Sequence, residues 1–227
     1  ATPDKYDRAR AAVIEMGAFF RETLRGHRRN PRDDLTGRLL EAGAGREGLS
    51  EDEMVATLVL LLFAGHETTA SLLANGLYWL LRSPASIEAL RSSPSLIPGA
   101  VEEMLRYEGP AQTVTRIAAE DVRLADVNIR RGERVFLALN SAARDPAVFH
   151  EPDSFKVDRT NNRHIAFGHG IHVCLGAPLA RLEAQIAFDR LLSRLSSIRL
   201  ETPQPEWHDE LVTRSMERLF ISYDMAA

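Results

Sequence analysis

Phe167-Gly168-His169-Gly170-Ile171-His172-Val173-Cys174-Leu175-Gly176 holds the only cysteine of the 227 residues and surrounds it with three glycines and one phenylalanine. Gly176 is followed by Pro178 and by apolar residues at helical spacing, so the sulfur sits where a glycine-rich loop enters a helix. Unpaired N–H groups at such a helix start, aided by the helix dipole, favour thiolate over thiol. A thiolate held there is a nucleophile, a zinc ligand or an axial ligand of haem iron. Gly168, Gly170 and Gly176 clear side chains from both flanks of the sulfur and let something large and flat approach the backbone, a clearance that a nucleophile does not need.

Upstream, Ser50-Glu51-Asp52-Glu53 has the form of a capping box and starts a long helix at about Glu51 that runs to about Leu81. It is apolar nearly all round, from Met54 through Leu62 and from Leu72 to Leu81, and is expected to cross the interior of a domain. A membrane span is not expected: the first apolar run is too short, and Gly65-His66-Glu67-Thr68-Thr69 interrupts it with polar groups. A carboxylate in the middle of a core helix costs several kcal/mol unless paired, so that cluster points to function. His66-Glu67 does not open a zinc-protease His-Glu-x-x-His, because the fifth position is Ala70. A mid-helix Thr68 can bond the carbonyl of Ala64 and open the helix to water.

The remaining periodicities are simpler. Helices are expected over Asp7 to Leu24, closed by Gly26 and Pro31, over Asp34 to Ala42, ended by Gly43-Ala44-Gly45, and after Pro84 and Pro98. Glu103 and Arg106 stand three apart on one helical face and can pair. Alternation from Gln112 to Leu139, broken at Arg131-Gly132, predicts a small antiparallel meander as the main sheet. Residues 141 to 163 have turn chemistry without periodicity. Leu179, Leu182, Ile186, Leu191 and Leu195 mark a helix, and Leu219, Ile221 and Tyr223 an edge strand.

Composition is that of a soluble chain, with 44% hydrophobic and 26% charged residues. A net charge of -4 gives no reason to expect nucleic-acid binding, and one cysteine makes no internal disulfide, so the cytoplasm is the expected location. Only Lys5 and Lys156 among 28 basic residues are lysine, a bias that points to a GC-rich, bacterial source.

The order Phe167-x-x-Gly170-x-His172-x-Cys174-x-Gly176 resembles the haem-binding loop of the cytochrome P-450 family, and Ala64-Gly65-His66-Glu67-Thr68-Thr69 resembles the oxygen-activation segment of its distal helix. The resemblance implies a mainly α fold with small antiparallel β-sheets. It covers residues 1–227 as the C-terminal haem-binding portion of a single domain whose N-terminal portion is lacking, and the chain's start at Ala1 suits a fragment. It implies haem b with Cys174 as proximal iron ligand, Phe167 near the sulfur, and His172 and Arg116 at the propionates. Gly168 and Gly176 give the ring clearance, and Ala64 and Gly65 leave room above it. Thr68 is implied to steady dioxygen and Glu67 to link it to solvent protons. Glu103, Arg106 and Arg159 form a structural triad, Ala143-Arg144-Asp145-Pro146 lies in a meander, and Ala111, Gln112, Val114 and Val212, with Leu211, face the substrate.

The function so implied is a monooxygenase of bacterial secondary metabolism. It places one oxygen atom of O2 in a small or medium apolar molecule, with electrons from a ferredoxin-type donor docking near Arg163 and Arg181. Two alternatives stay open: a non-catalytic partner protein without haem, and zinc on His169, His172 and Cys174, which offers three ligands at unusual spacing.

Overall fold

Ser50 and Glu53 fix the start of the longest element. The Ser50 N–H donates to Glu53 Oε2 at 2.8 Å while the Glu53 N–H donates to Ser50 Oγ at 3.3 Å, the reciprocal bonding of a capping box. In the computed structural model, which describes residues 3–43 and 48–226, the helix α3 that follows spans Glu51–Leu81. It is preceded by α1 (Pro3–Arg29) and α2 (Leu35–Gly43) and followed by α4 (Pro84–Ser92) and α5 (Ile97–Glu108). Ala44 and Gly45, expected to end α2, lie outside the described residues.

The chain divides into two compact units, residues 1–66 and 67–227, with the boundary inside α3. In the first, α1 runs beyond the predicted stop at Gly26, with His27, Arg28 and Arg29 in its last turn, where cations oppose the negative helix end. Leu24, Met54, Val55 and Leu58 form its core, with Phe20, Leu39, Leu40 and Val59 packed around them. Asp34 caps α2 by accepting the Gly37 N–H at 2.9 Å, and His27 Nε2 reaches the same carboxylate at 2.9 Å.

The second unit is built on α5 and on α7 (Ala177–Arg194). Val101, Met104 and Leu105 of α5 and Ala184, Phe188 and Leu192 of α7 share one core with Leu72, Leu77 and Leu80 of α3. The strands are β1 (Thr113–Ile117), β2 (Val122–Leu124), β3 (Val127–Ile129), β4 (Arg134–Ala138), β5 (Leu195–Leu200) and β6 (Ile221–Met225), with a short helix α6 (Leu139–Ala142) after β4. Mainly α with small antiparallel sheets is thus the observed fold class.

Three expectations need correction. The strands from 113 to 138 form two nested antiparallel ribbons, β1 on β4 and β2 on β3, instead of one meander, because β2 and β3 close on each other through Leu124 and Val127. Leu195 does not continue α7: it turns extended and begins β5, which pairs with β6, so the tail strand gains a partner that periodicity did not reveal. Finally, α3 is not interior throughout. Met54, Val55 and Leu58 near its start and Leu72, Leu77 and Leu80 toward its end are buried, but Leu60, Leu62 and Phe63 are exposed, and 22% of its most apolar window is buried although its length and hydropathy would suffice to cross a membrane.

Candidate functional site

The cysteine loop is shaped by its glycines. Gly168 and Gly170 both have φ of +76°, the left-handed region that favours glycine, and Gly170 opens a single 3-10 turn, Gly170–His172. This folds the chain back so that the Cys174 N–H donates to the Phe167 carbonyl at 2.9 Å and the Val173 N–H to the Gly170 carbonyl at 3.1 Å. Phe167 is half-buried against the core, which anchors the loop at its start.

The loop presents its sulfur outward. Cys174 is exposed, and so are the apolar side chains beside it: Ile171 at 96%, Leu175 at 88% and Val173 at 54%. A Cβ on Gly176 would stand 3.9 Å from the sulfur, an ordinary contact, so glycine here leaves space. One sequence-based expectation is reduced. The Ala177 N–H is turned to the Cys174 carbonyl at 3.3 Å, and Pro178 has no N–H, so fewer helix donors can reach the sulfur than the helix start suggests.

Helix α7 continues the uncovered surface. Ala184, Phe188 and Leu192 lie on one side of it and are buried, whereas Leu179, Leu182 and Ile186, at helical spacing on the opposite side, are each more than half exposed. An exposed thiol beside a broad apolar surface suits a flat, mostly apolar ligand with a soft metal at its centre.

The sequence-predicted residues fall into groups. Glu103, Arg106 and Arg159 come together: Arg106 Nε and Nη2 donate to Glu103 at 2.7 and 2.8 Å, and Arg159 Nε donates to Glu103 Oε2 at 2.9 Å. The remaining Arg106 donors go to the carbonyls of Ala143, Pro152 and Ser154, so all five N–H groups of a fully buried guanidinium are used. Ala111, Gln112 and Val212 also meet, since the Gln112 N–H donates to the Val212 carbonyl at 2.9 Å and Ala111 bridges to Thr213. The Gln112 side chain is engaged as well: its amide nitrogen donates to the carbonyls of Glu210 and Thr213, so it holds that turn in place.

Val114 is half-buried on β1 opposite Leu137. Arg116, on the same strand, is exposed and donates to the Thr115 carbonyl at 2.9 Å, and His172 is exposed in the loop. Glu67 and Thr68 are half-buried on α3, and Ala64 and Gly65 are exposed one turn earlier, so these four are carried by a different element from Cys174.

Two residues escaped the sequence reading. Glu102 accepts Arg181 as a fork, Nε at 2.7 Å and Nη2 at 2.9 Å, and also receives His164 Nε2 at 3.0 Å. Burial works to raise the Glu102 pKa, but the bonds from His164 and Arg181 outweigh it and hold the carboxyl at about 2, below its ordinary 4.5. Of the two arginines near which an electron donor is expected to dock, Arg181 is bonded to Glu102 and has a 36% exposed side chain, while Arg163 is exposed. Helical spacing could not assign these partners: Arg106 stands four positions after Glu102 and three after Glu103, within reach of either carboxylate, whereas His164 and Arg181 lie 62 and 79 positions beyond Glu102.

The chain has relatives among known proteins in both sequence and fold. The cytochrome P-450 family model matches residues 5–93 and 95–220. The biotin biosynthesis cytochrome P-450 of Bacillus subtilis is 43% identical over 212 residues, covering 93% of this chain and 53% of that protein. Cytochrome P-450 107B1 of Saccharopolyspora erythraea is 46% identical over 220 residues, covering 96% and 54%. Among solved structures, P-450BioI in complex with an acyl carrier protein ligated to hexadec-9Z-enoic acid superposes with a TM-score of 0.93 at 40% identity, covering 99% of this chain and 57% of that one. The chain spans about half the length of the curated relatives it matches. A glycine-shaped loop that turns a lone thiol outward, on a chain matched nearly from end to end, makes this protein a member of the cytochrome P-450 family.

Proposed function

We propose that this chain carries the haem side of a haem-thiolate monooxygenase, with Cys174 as the axial ligand of the iron of haem b. One observation carries the reading: an exposed thiol at the entry of α7 is flanked by Ile171, Val173 and Leu175, apolar side chains that a porphyrin would cover. Haem iron with a thiolate ligand supplies dioxygen activation, with one oxygen atom entering a C–H bond or double bond of the substrate and the other leaving as water.

The chain's own residues supply the rest. Gly168 and Gly176 keep the backbone close to the ring, Phe167 anchors the loop, and His172 and Arg116 serve as donors to the acidic edge of the macrocycle. Ala64 and Gly65 are small enough to leave room for dioxygen, Thr68 steadies it, and Glu67 holds and passes protons. Ala111, Val114 and Val212 line the substrate side, with Gln112 holding the 210–213 turn against them. Glu103, Arg106 and Arg159 keep the scaffold fixed.

The substrate is a small or medium apolar molecule of bacterial secondary metabolism. A ferredoxin-type protein supplies two electrons, with Arg163 as the exposed cation near its docking face, and the enzyme works in the cytoplasm. The non-catalytic reading leaves the outward-facing thiol without a purpose.

Haem-loaded protein, reduced and exposed to carbon monoxide, is expected to show the red-shifted Soret band of thiolate ligation, and Cys174→Ala to lose it while keeping its far-UV dichroism. An unshifted band in the wild-type protein overturns the reading.

A further inference from the structure

We propose that Glu102 is a positioning residue for the cysteine loop, gripping both of its stems at once through His164 and Arg181. The inference rests on the haem-thiolate reading of Cys174. Its basis is an arrangement of the chain: the loop that carries the sulfur leaves the core at Phe167 and re-enters it as α7, and a single carboxylate on α5 bonds to residues on either side of it.

His164 lies three positions before Phe167. Its Nε2 meets Glu102 at 3.0 Å, and its Nδ1 accepts the Ala166 N–H at 3.2 Å, which sets the backbone just before the loop. Because Nδ1 accepts there, Nε2 carries the proton that Glu102 receives. Arg181 lies seven positions after Cys174, in the early part of α7, and is held by the two bonds to Glu102. Its guanidinium carbon stands 4.6 Å from the centre of the Phe167 ring, whose own carbonyl accepts the Cys174 N–H at 2.9 Å. Glu102 thus reaches the sulfur-bearing residue by two short routes, one through each stem.

The carboxylate also balances charge. Arg181 is near enough to Cys174 for the sulfur to add to the upward shift that Glu102 causes in its pKa, against the effect of burial. Removing the Glu102 charge leaves an uncompensated cation beside the loop and favours the reduced, more negative metal site. Removing the Arg181 charge leaves an uncompensated anion and does the opposite.

The two effects therefore have opposite signs. In the haem-loaded protein, Glu102→Gln is expected to raise the reduction potential, Arg181→Gln to lower it, and Glu102→Asp, which keeps the charge, to return it toward the wild-type value. Both Gln variants are also expected to increase, at least threefold, the fraction of carbon monoxide complex whose Soret band is unshifted. Shifts of the same sign, or none, overturn the proposal, since a merely loosened fold would move both variants alike. If one Gln variant does not fold, the sign of the other together with the Glu102→Asp result decides. A wild-type protein that lacks the red-shifted band would instead overturn the haem-thiolate reading itself.

Discussion

Arg106 and Cys174 belong to the same compact unit and stand at opposite extremes of it. Arg106 is wholly buried and every one of its donors is bonded, whereas Cys174 is exposed and its nearest apolar neighbours are uncovered. A buried charge is tolerable only when saturated, so the polar network around Arg106 is a place where nothing should move. The loop has spent its backbone bonds on shaping itself and left its side chains for something else to meet. Saturation marks the scaffold, and unspent chemistry marks the site.

The strongest way to break this contrast is to unsaturate the scaffold. Glu103→Ala leaves Arg106 and Arg159 without their shared carboxylate and the Lys156 N–H without its acceptor, and is expected to destabilise the protein by roughly 3–5 kcal/mol in denaturant unfolding. Cys174→Ala, at an exposed position, should stay within about 0.5 kcal/mol of wild type in the same measurement. Similar costs for the two would dissolve the distinction between scaffold and site.

An intermediate effect is expected at the junction of the two regions. Because Glu102 has a depressed pKa, its contribution to stability is complete above pH 4.5 and is lost as the pH falls toward about 2. Unfolding followed across that window should show a decline that Glu102→Gln flattens. A smaller effect is expected in the other compact unit, where Ser50→Ala removes one half of a solvent-exposed capping box and should cost about 1 kcal/mol.

Much of this was legible in the chain, and the places where it was not share a cause. The capping box, the Glu-x-x-Arg pair and the glycine-bracketed cysteine are local patterns, and each is found as a local structure. The pairing of β5 with β6 joins residues about 25 positions apart, and Leu195 reads as helical until its partner strand is known. Alternation between 113 and 138 showed that strands exist there but not which would pair, since period two fixes faces and not neighbours. The exposure of Leu60, Leu62 and Phe63 was equally hidden, because an all-round apolar helix states a need for cover without saying what meets it.

The amino-acid sequence alone singled out the one cysteine, the glycine-rich loop around it and the helix that follows, because capping, backbone freedom at glycine and apolar period act over a few residues. Only the tertiary structure decided that Glu102, 72 positions before Cys174, ties His164 and Arg181 to one carboxylate and leaves Arg181 with little freedom to greet a partner. Hydrogen bonds and charge act across space, and which distant residues share a carboxylate is known only once the helices are packed.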